Sequence, residues 1–154
     1  MIRSAGLFFG ALVESVFDAA PDVLTGVDDC FAGAGETLRQ TSYADACPIA
    51  TVALEVASTN EPLRAATAEV FDRWISSATD RFGAAGIPAG TARELAIGMI
   101  GALEGAFVLS RAMRSTEPLE VVGAHAAAAV EAALIRVRAP DRPREAPGAK
   151  SPPR

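Results

Sequence analysis

Few side chains in this sequence have the types and spacing that catalysis requires. His125 is the only histidine, and no Glu-x-x-His pair of a di-iron helix bundle is present. The sequence also has no glycine-rich phosphate loop and no serine in the context of a hydrolase triad. We therefore expect a protein that is not an enzyme and that uses no metal ion or cofactor.

The two cysteines, Cys30 and Cys47, are too few for a disulfide framework and lack the spacing of a structural zinc site. No basic residue close to Cys47 in the sequence would make its thiol reactive. Two interpretations of the Cys47-Pro48 pair stay open. It either leads into a short helix that lines a ligand pocket, or Cys47 is a small buried residue and Pro48 merely begins a helix.

Glu104 is a charge in the middle of the apolar segment 95–109. Burial of an unpaired carboxylate is costly. We therefore expect it to pair with Arg111, Arg114 or a donor group of a ligand, or to occupy a polar spot in an interface. Pairing within the protein is the simpler interpretation.

Composition restricts the partners. The chain has 154 residues and a formal net charge of −5, and its sequence pI is about 4.9, so it lacks the basic surface that binds a phosphate backbone. The segment 95–109 is shorter than the ~20 residues of a bilayer span. The apolar run that opens the chain is interrupted by Glu14. These features predict a cytoplasmic protein with no membrane partner and no DNA binding by this chain alone.

Apolar residues recur at steps of three and four through most of the chain, which predicts about six helices and an all-α fold. We place a single helical domain over 1–138. The segment 139–154 is proline-rich without an apolar pattern, so we expect a disordered tail there. The predicted helices begin at the first residue, at Pro21, at Pro48, after an Asn60 cap, at a Thr91–Glu94 capping box and after Thr116.

Nine apolar and aromatic residues fall where helices would face inward, and they are our candidates for the lining of a ligand cavity. Any one of them could equally be an ordinary core residue. The candidates are Phe17, Phe31, Cys47, Val52, Phe71, Trp74, Met99, Leu103 and Phe107.

The last two predicted helices, at 92–114 and 117–137, are unusually apolar and rich in alanine and glycine. A helix that is apolar nearly all round must be covered on every side. Six short helices cover two such helices poorly, so we expect a homodimer with a four-helix interface. The alternative is that both are core helices of a monomer.

Three sequence motifs and their order indicate a protein family. The segment "ACPIATVALE" at 46–55, "FDRW" at 71–74 and "ALEGAFVLSRAMRSTEPL" at 102–119 occur in this order. In this respect the chain resembles the C-terminal ligand-binding and dimerisation domain of tetracycline-repressor-type (TetR) transcriptional regulators, in the LmrA/YxaF-like branch that includes lincomycin-resistance repressors. Ala46 replaces the glycine that is usual in that branch. The resemblance covers roughly residues 40–120.

The resemblance implies a repressor domain that dimerises and senses a small hydrophobic or aromatic molecule. It also implies an N-terminal helix-turn-helix domain, for which this sequence has no room before its first helix. Three explanations stay open: an excised domain, a start that lies upstream, or a descendant that lost DNA binding. A dimeric helical interaction module without a ligand is the alternative function.

Overall fold

The computed structural model of the protein describes residues 2–44, 47–56 and 58–139. Within these residues the chain forms helices and no strand, which confirms the all-α prediction. Of the predicted tail over 139–154, residues 140–154 lie outside the described residues. The helices are α1 (Ile2–Ala19), α2 (Val23–Gln40), α3 (Pro48–Val56), α4 (Glu61–Ala84), α5 (Ala89–Met113) and α6 (Glu117–Arg138).

Side-chain caps fix the starts of α2 and α4. The Asn60 side chain accepts a hydrogen bond from the backbone N–H of Leu63 at 3.1 Å, as predicted for α4. Asp22 accepts one from Thr25 N–H at 2.8 Å. Helix α2 therefore begins at the residue after Asp22 and not at Pro21. The Asp22 carboxylate accepts a hydrogen bond from a backbone N–H of the first turn, which a proline side chain cannot do.

The predicted capping box at the start of α5 is wrong. The helix begins at Ala89, directly after Pro88, and no side chain caps its first turn. Thr91 and Glu94 therefore lie inside the helix. The extended backbone of Pro88 ends the preceding turn and leaves the next residue free to begin the helix.

The main core lies where α2, α4, α5 and α6 meet. Val27, Leu38, Phe82 and Leu119 are almost completely excluded from solvent there. A second, smaller cluster joins α3 to α4 and α1 around Ile49. These helices thus bury apolar residues on the faces where they meet, as amphipathic helices do.

Two glycines allow the close contacts that set the positions of two aromatic rings. A Cβ at Gly123 on α6 would lie 2.8 Å from the Cβ of Phe31 on α2. Any side chain at Gly26 would collide with the Phe17 ring. These contacts hold Phe31 between α2 and α6, and Phe17 between α1 and α2.

Helices α5 and α6 leave a large apolar surface uncovered. Each is long and apolar enough to cross a membrane by length and composition alone, a property shared by core helices of soluble proteins. A Cβ at Gly98, Gly101 or Gly105 would meet no other atom within 4 Å. The exposed large apolar residues on these two helices are Ile97, Val108, Leu109, Met113, Val121, Ile135 and Val137.

Candidate ligand cavity

A cavity of about 470 Å³ lies inside the bundle, with walls from α1, α2, α4 and α5. Cys47 and Pro48, where α3 begins, also line it. Its walls are predominantly apolar, and part of its rim is open to solvent because Leu12 and Val13 are exposed there. A volume of this size and an apolar lining are typical of small-molecule sites.

Six of the nine predicted lining residues lie on the wall of this cavity: Phe17, Cys47, Trp74, Met99, Leu103 and Phe107. Phe31 instead lines a separate recess of about 310 Å³ between α2 and α6. Phe71 packs in the smaller core cluster against Trp74. Val52 lies on α3 and lines neither cavity. Ligand contact by any of these residues stays a prediction.

Other wall residues were missed because their place depends on how the helices meet. Gly33 on α2 and Arg81 on α4 carry no local signal of a cavity. The apolar stripe of α1 was recognised, but its periodicity does not distinguish a cavity wall from a packed core. The missed apolar wall residues are Phe9, Leu12, Val13, Val16, Cys30, Ala34, Leu38, Ala78 and Ile100.

Trp74 connects the cavity wall to α1. Its indole Nε1 donates a hydrogen bond to the backbone carbonyl of Gly6 at 3.1 Å. Its ring meets the Phe71 ring edge-to-face, with centroids 5.5 Å apart. An ion pair between Arg3 and Glu69 at 3.0 Å, between exposed side chains, also joins α1 to α4. Displacement of Trp74 would therefore disturb the hydrogen bond that joins it to α1.

Arg81 is the positively charged side chain among the described residues of the wall, and both of its terminal nitrogens form a hydrogen bond to α1. Its Nη1 donates to Asp18 Oδ1 at 2.7 Å, and its Nη2 donates to the backbone carbonyl of Glu14 at 3.2 Å. Its guanidinium carbon lies 5.3 Å from the centroid of the Phe17 ring, within the range of a cation–π contact. Arg81 thus fixes α1 against α4 at the cavity.

Glu104 also lies on the wall, and its partner is not the one expected from the sequence. Within the described part of the chain, Glu104 forms no ion pair with Arg111 or Arg114. Its neighbour is instead the Cys47 thiol, which lowers the pKa of the Glu104 carboxyl. Burial raises the pKa of Glu104, and the thiol only partly offsets this effect. The expected pairing with an arginine is therefore wrong.

Both cysteines on the wall are held as neutral thiols. Burial, together with the neighbouring Glu104 charge, raises the pKa of Cys47 to about 12. Burial and Asp29 raise the pKa of Cys30 to about 12. A thiol that stays protonated is a poor nucleophile and a poor metal ligand. The described residues contain no group of three or more metal-ligating side chains.

The described residues thus form an all-helical bundle with a partly open apolar cavity and an uncovered pair of helices, α5 and α6. Residues 23–125 match the family described as "Transcriptional regulator LmrA/YxaF-like, C-terminal domain". The chain belongs to this C-terminal domain family of TetR-type transcriptional regulators, as the sequence motifs predicted. The family is one of regulators and not of enzymes.

Two curated relatives agree with this assignment. They are the uncharacterized HTH-type transcriptional regulators MT0206 and Rv0196 of Mycobacterium tuberculosis, from strains CDC 1551 and H37Rv. Each is 34% identical over 120 residues, which cover 75% of this chain and 62% of the relative. The match thus spans less than two thirds of the relatives' length. No solved structure matches the chain significantly.

Proposed function

We propose that this chain is the small-molecule-sensing and dimerisation domain of a TetR-like transcriptional repressor. The observation that supports this most is the apolar cavity of about 470 Å³ inside a domain of a regulator family. Its aromatic wall suits a hydrophobic or aromatic ligand. We expect such a protein to work in the cytoplasm without a cofactor or catalytic activity.

The homodimer forms in this proposal through α5 and α6 of two chains. Their uncovered apolar side chains and the open surface at Gly98 and Gly101 support this arrangement. Four helices packed together would remove this surface from water, at roughly 25 cal/mol per Å² of apolar area. Glycines allow two helix backbones to approach closely at such an interface.

A ligand would act by moving α4 relative to α1. Trp74 both lines the cavity and holds α1 through the Gly6 carbonyl. A ligand that contacts the indole ring shifts the balance between two positions of α1 only if it binds one of them better. In a complete regulator α1 would pass this shift to a DNA-reading domain. The acidic chain by itself is not expected to bind DNA specifically.

The test is a thermal-shift screen of hydrophobic dyes, antibiotics and aromatic metabolites. A true ligand must raise the melting temperature in a concentration-dependent way. Gly33→Leu is the matched variant, since Gly33 lies on the wall and its Cβ position is open. Its leucine side chain should fill part of the cavity and weaken binding. Gly83→Leu is the control, at an exposed site away from the cavity.

A screen without any stabilising compound would support the alternative function, a dimeric helical interaction module without a ligand. The uncovered surface of α5 and α6 is compatible with that module. Binding that is equally strong in both variants would show that ligands use another site, and the proposed sensing cavity would be rejected.

A further inference from the structure

Glu104 is an acid on an otherwise apolar stretch of the cavity wall. Leu103 and Phe107, its neighbours on α5, line the same cavity. Among the described residues its carboxylate has the Cys47 thiol as a neighbour and forms no ion pair. A carboxylate can accept about four hydrogen bonds, so the thiol leaves most of its acceptor capacity unused. The cavity therefore offers an anionic acceptor to whatever occupies it.

The other charged side chains on the wall also favour a cationic ligand. Glu14 and Asp29 are acidic, and Arg81 is already bound to Asp18. Three acidic side chains thus line the cavity against one basic side chain that is neutralised by an ion pair. A cationic ligand lowers the electrostatic energy of such a site, whereas an anionic one raises it.

We propose that Glu104 is the anchor for a protonated amine, so that the cavity selects a hydrophobic aromatic ligand that carries one cationic nitrogen. The amine donates a charge-assisted hydrogen bond to the carboxylate. The aromatic body of the ligand packs on Phe17, Trp74 and Phe107, whose faces also favour a nearby cation. This inference rests on the proposed ligand-sensing function and names the chemical class of the ligand.

The proposal predicts a pH dependence with a definite sign. Burial raises the pKa of Glu104, so acidification protonates it earlier than an exposed glutamate and removes the anchor. Amine affinity should fall as the pH is lowered. The other titratable groups on the wall are Glu14, Asp29, Cys30, Cys47 and Arg81. The two thiols stay neutral over this range, because burial raises the pKa of each to about 12.

The experiment uses three probes of the same aromatic body: pyrenemethylamine, pyrenemethanol and pyrenecarboxylate. Pyrene accepts excitation energy from tryptophan, so binding beside Trp74 is measured by sensitised pyrene emission. We expect the amine to bind about 10- to 100-fold more tightly than the alcohol, the range for a hydrogen bond to a charged group. The carboxylate should bind most weakly.

Glu104→Gln keeps the shape of the side chain and removes its charge. It should reduce amine affinity by about tenfold or more and leave alcohol affinity within about twofold. The control is Glu94→Gln, an identical change at an exposed position of the same helix, which should alter neither. The pH dependence of amine binding should also disappear in Glu104→Gln.

The outcomes separate this inference from the function on which it rests. Equal affinities of the wild-type protein for amine and alcohol would overturn the amine anchor and leave the sensing cavity intact. Saturable binding of none of the three probes would count against the cavity itself. An amine preference that survives in folded Glu104→Gln would assign recognition to another group and reject the role of Glu104.

Discussion

Replacement of Gly101 by leucine should affect the single chain and the dimer in opposite directions. Within one chain a Cβ at Gly101 meets nothing within 4 Å, so the larger side chain causes no collision there. Leucine is also a better helix former than glycine by roughly 0.5–1 kcal/mol. The folded single chain should therefore become slightly more stable.

In the proposed dimer the same leucine would be forced between helices that approach each other at this glycine. Overpacking of this kind costs about 1–3 kcal/mol. That cost corresponds to a dissociation constant roughly 5- to 150-fold higher. The opposite signs distinguish an interface from an ordinary exposed position, where only the gain in helix stability would be seen.

Sedimentation equilibrium of the wild-type protein and Gly101→Leu measures the dissociation constant directly. Gly83→Leu makes the same change at an exposed position of α4 and should leave association unchanged. An unchanged dissociation constant for Gly101→Leu would refute close helix approach at this glycine. A wild-type chain that is monomeric at micromolar concentration would refute the dimer itself.

Three further predictions follow from the contacts within the chain. Gly123→Ala should destabilise the fold by about 1–3 kcal/mol in chemical denaturation, because its methyl group would collide with Phe31, while Gly98→Ala at an open helical site should be neutral or stabilising. The Cys47 thiol, with its pKa raised to about 12, should react with a disulfide reagent near neutral pH at least about tenfold more slowly in the native than in the denatured protein. The native pKa of Glu104 lies above its ordinary value of 4.5, so its contribution to stability is complete below pH 4.5 and is lost as the pH rises through the native pKa. The free energy of unfolding of Glu104→Gln, measured over this pH range, should exceed that of the wild-type protein by an amount that grows with pH. A difference that stays constant with pH would argue against burial of the Glu104 charge.

The number and order of the helices could be predicted from the sequence because the signals that begin and end a helix are local. The Asn60 cap is readable from a few adjacent residues, and the structure contains its hydrogen bond. The start of α5 was misplaced because a Thr-x-x-Glu pattern is compatible with an interior turn as well as with a cap. Only the backbone after Pro88 decides between the two.

The cavity could be predicted in part, because inward-facing aromatic residues form either a core or a wall. Trp74 and Phe107 lie on the cavity wall, whereas Phe31 packs against α6, where Gly123 has no side chain to exclude it. The partner of Glu104 could not be foreseen either. Cys47 is far from it in sequence, and the two side chains come together only because both lie on the wall of the same cavity.

The most direct test of the sensing cavity is a titration of the wild-type protein with pyrenemethanol while energy transfer from Trp74 is followed. This neutral probe tests the cavity independently of any charge. We predict saturable binding with one probe per chain, and a clear loss of affinity in Gly33→Leu but not in Gly83→Leu. Emission that rises without saturation, or that saturates equally in both variants, would contradict a ligand cavity beside Trp74.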